Sequence, residues 1–157
     1  MGSPLRTILG QIRSQIATNA TGSGSYDNDL RDSSSTQRVY IGTEFNPLFL
    51  PCVQIRPMGR PSTERGVALT QYGRTVEVLI VGMVQTTTDG EGEALLLACD
   101  LADDIELALE TDYSLGGNVN GIVVSYDVLS GVEYNLPETY GVVQMTLTAT
   151  YQETRGS

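Results

Sequence analysis

The sequence predicts an α+β domain: a largely antiparallel β-sheet with helices packed on one face, built as a β-α-β-β core after an N-terminal helix and long loops. Three observations predict it. Apolar residues recur at helical spacing over 5–17 and again over 94–109, an apolar run fills the second half of 74–86, and two-residue alternation marks 122–128, with one mainly apolar face, and most cleanly 143–151. A chain of 157 residues suits a single domain over 1–157, since typical domains run to about 100–150 residues. Its 40% hydrophobic content is enough for a core without disulfide staples.

In chain order, Leu5, Ile8, Leu9, Ile12 and Ile16 form one stripe with Arg6 and Arg13 outside it, and Pro4 suits a first helical turn. From Thr18 to Gln37 the chain is dense in Ser, Thr, Asn, Asp and Gly, too polar to order itself, and reads as an extended loop or arm. Residues 38–41 and 51–56 have strand composition, but Pro47, Pro51, Pro57 and Pro61 confine such strands to edges or break them. Met58 to Gly73 has no period and reads as a second extended loop. Residues 74–86 read as a central strand buried on both faces. Thr88 and Glu91 have capping-box spacing, with Asp89 competing, so a helix should begin there. Ala94, Leu97, Ala98, Leu101, Ile105 and Ala108 share one face of it. Leu115-Gly116-Gly117-Asn118 ends the unit, and two strands follow, joined by a short link near Gly131–Pro137 that permits a hairpin.

The residue inventory excludes much chemistry. There is no His and there are two Cys, so a His-based zinc site, a Ser-His-Asp triad and a Cys-His pair are all absent. No enzyme is expected and no cofactor. Cys52 and Cys99 each sit in apolar surroundings and read as reduced, partly buried thiols. The start Met1-Gly2-Ser3-Pro4 lacks the pattern of a signal peptide, and no run reaches the roughly 18 apolar residues of a membrane span. A soluble chain made in the cytoplasm, with no membrane partner, is expected.

The formal charge is −10, with nine Lys+Arg, all of them Arg, against nineteen acids. That balance argues against a basic nucleic-acid binder. The charge is polar along the chain: residues 1–74 hold eight Arg and five acids, net +3, whereas 75–157 hold Arg155 against fourteen acids, net −13. Opposite halves suit a head-to-tail ring in which Arg-bearing loops of one subunit meet the acidic face of the next. Intramolecular screening plus solubility explains the same polarity equally well.

The acids Asp100, Asp103, Asp104 and Glu106, with Asp89, Glu91 and Glu93 upstream, could be imagined as a divalent-metal site, but calcium loops place carboxylates at alternate positions with a Gly and a distal Glu, and none is spelled here. The cluster reads as a solvated helix face. Gly116-Gly117 follows a helix, so no helix N-terminus faces an anion and a plain turn is expected. Tyr26, Tyr40 and Tyr72, in the weakly periodic half, suit an interface, whereas Tyr126 and Tyr151 are simpler as sheet residues.

The pattern of Thr75 to Val84, an acidic Ala/Leu helix at Glu93 to Glu110, Leu115-Gly116-Gly117, and a Thr-rich, Tyr-ending run from Gly141 to Tyr151 resembles the tail terminator (tail-completion, head-tail joining) proteins of long-tailed bacteriophages. The resemblance covers residues 74–152 and a plausible N-terminal helix. It implies a virion protein, assembled in the host cytoplasm, that forms a hexameric ring capping the tail tube, ends tail growth and joins the tail to the head-side connector or neck protein. Viral DNA would pass through the lumen without specific binding. Within that reading Arg31, Arg60 and Arg65 are candidate interface anchors, because a guanidinium fork holds a carboxylate bidentately, and Asp100, Asp103 and Asp104 are candidate partners. The loops 18–37 and 58–73 are then expected to move in a free subunit and to be fixed in the ring. The alternatives are another neck or head-completion connector and, from a different class, a divalent-metal-binding protein using the acidic helix.

Overall fold

A computed structural model of the chain describes residues 4–32, 36–42, 49–65, 71–87 and 92–154, with 59–65, 71–72 and 152–154 described by their backbone only. Two helices, α1 (Pro4–Asn19) and α2 (Glu93–Glu110), accompany five strands: β1 (Val39–Ile41), β2 (Cys52–Arg65), β3 (Gln71–Gln85), β4 (Gly121–Ser130) and β5 (Tyr140–Thr154). They form one sheet in the order β1-β2-β3-β5-β4, antiparallel except for the parallel β1–β2 pair. The fold is α+β, as the periodicities predict.

The hydrophobic alternation explains the layering. On β3, Val76, Val78, Ile80 and Val84 point to the helices with Val143, Met145, Leu147, Ala149 and Tyr151 of β5, and they enclose Ile8, Ile12 and Ile16 of α1 and Leu101, Ile105 and Leu109 of α2. Leu79, Val81 and Met83 of β3 point the other way and gather with Cys52 and Val142 into a second, smaller cluster edged by Tyr40, Leu50, Leu129, Tyr134 and Leu136. β3 is therefore buried on both faces over 78–84.

Helix α2 lies close on the sheet because small residues meet there. A Cβ on Gly82 would stand 2.9 Å from Leu101 Cδ2, and one on Gly141 would collide with the Ala94 carbonyl oxygen and stand 2.9 Å from Ala98 Cβ. The residue before α2 is Gly92, at φ 80°, which makes no side-chain cap bond. The Thr88–Glu91 capping box lies outside the described residues. At the other end, Leu115, Gly116 and Gly117 all have positive φ, and Asp112 accepts from Ser114 N–H (3.0 Å), Ser114 Oγ–H (2.6 Å) and Gly116 N–H (2.9 Å). This is the plain turn that the glycines predict.

Two sequence expectations are corrected. Met58 to Gly73 is not one extended loop: 58–65 continue β2, 71–73 begin β3, and only 66–70 lie outside the described residues. Antiparallel pairing across the two strands, from Met58↔Glu77 through Ser62↔Thr75 to Arg65↔Tyr72, with an irregularity between Met58 and Ser62, supplies the backbone bonds that side-chain periodicity does not announce. The stretch from Thr18 to Gln37 is no single arm either. Its first residues finish α1, Thr21 and Asp29 form an isolated bridge, and Ala20 and Leu30 are buried in the main core.

Candidate functional site

The polar segment after α1 is ordered by two carboxylates. Asp104 of α2 is fully buried, and its oxygens accept from Asp27 N–H (3.1 Å), Asn28 N–H (2.7 Å) and Asn28 Nδ2 (2.8 Å). Asp32 takes the second role: it pairs with Arg13 of α1 and accepts from the backbone N–H of Arg38 (2.8 Å) and Val39 (3.3 Å), leading the chain into β1. Gln15 of α1, also buried, donates to the carbonyls of Leu109 (3.2 Å) and Asp112 (3.3 Å), so one carbonyl in the last turn of α2 and one just beyond it are satisfied by the neighbouring helix.

The candidate site residues therefore separate. Asp104 is not an interface acid; it is an internal latch, and burial excludes it from any partner's surface. Asp100 and Asp103 are exposed on the same helix. The Asp100 carboxyl is pushed above the usual range, first by desolvation and then by the charges of Asp27, Asp104 and Asp103. Tyr26 is raised as well, by desolvation and by Asp104. Arg31 is exposed and grips Asp29 through two bonds of 3.0 Å, which hold the Asp29 carboxyl below its usual range. Arg60 and Arg65 lie on β2, and their side chains fall outside the described residues.

The remaining residues sort as follows. Cys52 is fully buried and Cys99 exposed, so neither thiol is partly buried as the sequence leads one to expect. Tyr26 packs against the main core, Tyr40 bonds the Gln37 carbonyl at 2.7 Å while packing on the second cluster, and the side chain of Tyr72 lies outside the described residues. Tyr126 and Tyr151 stand on β4 and β5. Among the described residues no group of three or more His, Cys, Asp or Glu is placed to hold a metal ion, and no helix is long and apolar enough to cross a membrane.

Two concave surfaces flank β4. On the sheet face opposite the helices, the register aligns Arg56, Leu79, Thr146 and Ser125 in one row and Gln54, Val81, Gln144 and Asp127 in the next. A groove of about 390 Å³ lies there, with Arg56 and Asp127 among the residues that line it. On the helix side, a groove of about 150 Å³ between α2 and β4 has Leu109, Tyr113, Ile122 and Val124 as apolar walls and Glu106 and Glu110 as its acids. Desolvation raises the Glu106 carboxyl, helped by the charges of Glu110 and Asp103 and by a hydrogen bond with Glu110. The sequence pattern places Glu106 and Glu110 on the solvated face, but their pairing with β4 across α2 was not legible in it.

The sequence matches no protein-family model and no curated protein. Among solved structures, the chain is similar to one in the virion of a native gene transfer agent (GTA) particle, at 11% identity and a TM-score of 0.39, over 73% of this chain and 78% of that one.

Proposed function

We propose that this chain is a structural virion protein of the tail terminator kind: a ring-forming subunit, hexameric by the resemblance, that caps a phage tail tube, ends its growth and joins it to the head-side connector. The observation that carries the reading is the ordered run β3, acidic α2, Leu115-Gly116-Gly117 turn, β4 and Thr-rich β5, the succession of elements through which the sequence resembles that family. The absence of His and Lys from the sequence supports a structural role over acid-base catalysis. The net charges of +3 and −13 on the two halves support head-to-tail association. In the ring, acidic surface facing the lumen would repel passing duplex DNA, leaving it without specific contacts.

Native mass spectrometry and electron microscopy of the purified chain, alone and with tail tubes, test the proposal. Closed rings seated on tube ends are the expected result. A strictly monomeric protein that never associates with tubes would sink it.

A further inference from the structure

The two edges of the sheet are built differently. At one edge β1 covers only Val53–Ile55 of β2, through Val53 N–H to the Arg38 carbonyl (2.7 Å) and Gly42 N–H to the Ile55 carbonyl (2.8 Å). The next position of β2 to face outward is Pro57, which has no N–H to offer, so this edge is blunted. At the other edge β4 runs ten residues with an unbroken register to β5, no Pro, and Asp127 as its single charge.

The Gly131 N–H bonds the Tyr140 carbonyl at 2.7 Å, in line with the β4–β5 register, so at this odd-numbered position the N–H turns toward β5. By antiparallel alternation the odd-numbered residues of β4 bond to β5, and Ile122, Val124, Tyr126 and Val128 turn N–H and C=O outward. The outward N–H of Ser130 is already taken by Glu133 Oε2 at 2.9 Å, which marks where the open stretch stops. Beside that stretch lies the groove of Leu109, Tyr113, Ile122 and Val124 with Glu106 and Glu110 on it. Among the described residues no Arg reaches either glutamate. Backbone groups, apolar walls and unneutralised carboxylates thus converge on one line, which suits an extended segment carrying Arg.

We propose that β4 is the docking strand for a second copy of this chain, whose first 74 residues supply an extended Arg-bearing segment that pairs with the outward groups of Ile122, Val124, Tyr126 and Val128 and sets guanidinium groups against Glu106 and Glu110. The inference rests on the ring reading and specifies its acidic half-joint. Charge selects the occupant. A symmetric β4–β4 pairing would bring together two halves of net −13, whereas head-to-tail pairing sets +3 against −13. Among the described arginines, Arg13 and Arg31 are held within the subunit by Asp32 and Asp29, while Arg56 is exposed on β2.

Sedimentation velocity and native mass spectrometry of the full chain across concentration and salt test this, with Tyr126→Pro and the double variant Glu106→Gln/Glu110→Gln. Proline at 126 removes an outward donor and leaves the β5 ladder intact; each variant should weaken self-association about three- to tenfold. The double variant should also flatten its salt dependence. Amides of 122, 124, 126 and 128 should be protected from exchange in the assembly and not in the dilute monomer. A photo-crosslinker at position 123 should capture residues 1–74 of another copy. Assembly indifferent to both variants, or crosslinks into another copy's β4, overturns the docking strand and leaves the ring reading standing. A chain that never self-associates overturns both.

Discussion

Replacing Asp104 by Ala should detach the segment 20–32 from α2 without unfolding the sheet. The magnitude follows from what the carboxyl holds: it accepts from two backbone amides and one side-chain amide at 2.7–3.1 Å while fully buried itself. Bonds of this kind contribute roughly 1.5–3 kcal/mol each when the partner is charged. Asp27 is exposed and Asn28 half-buried, so water replaces part of what is lost once the segment lifts. The ceiling is then the cost of leaving Ala20 and Leu30 less well packed. We expect a net loss of about 2–4 kcal/mol. Asp104→Asn should cost less, about 1–2 kcal/mol, because one acceptor oxygen survives while the new NH2 opposes the donors of Asn28. Urea denaturation gives the free energy. Hydrogen exchange at Asp27, Asn28 and Leu30, whose N–H bonds the Ala20 carbonyl at 2.9 Å, shows whether the loss is local. A loss below about 0.5 kcal/mol, with exchange at these amides unchanged, would refute the latch.

Gly141→Ala should destabilise by about 1–3 kcal/mol or more, because its Cβ meets the Ala94 backbone, whereas Gly82→Ala meets the flexible ends of Leu101 and Ile105 and should cost less; thermal unfolding of the pair checks the order. Glu106→Gln should stabilise the isolated chain at neutral pH. A carboxyl whose folded pKa is raised favours folding below its unfolded pKa and loses that advantage as pH rises through the folded one, so denaturation from about pH 4 to pH 7 should show a flatter profile in the variant. Asp112 has the opposite sign: its bonds to Ser114 and Gly116 lower its pKa, so it stabilises the turn above the unfolded value and ceases to do so as pH falls through the folded one, a loss that Asp112→Asn should abolish in an acid titration. Arg60→Ala/Arg65→Ala should impair ring or tail joining with the monomer's thermal midpoint unchanged; unaltered assembly and tail length would remove these residues from the joint.

What the sequence determined by itself was the elements whose apolar residues recur with a helical or strand period or form an unbroken run. The stripe of Ile8, Ile12 and Ile16, the two-sided run of 78–84, and the alternation through Val143, Met145 and Leu147 each carry their period in plain order, because burial of apolar surface acts residue by residue. Asp104 was within reach too. It stands three residues after Leu101 and four before Ala108, in phase with the buried stripe, unlike Asp100 and Asp103. Its partners were not legible, since Asp27 and Asn28 lie 77 and 76 positions away and offer mostly backbone N–H groups, which every residue has. The pairing of 58–65 with 72–77 was hidden for the same reason: ladder bonds are made by the main chain, and only proximity in three dimensions decides which stretches share them. The order β1-β2-β3-β5-β4, which blunts one edge at Pro57 and, among the described residues, leaves the other open along β4 beside Glu106 and Glu110, was likewise decided by tertiary structure, because an edge is a property of what lies next to a strand and not of the strand's own residues.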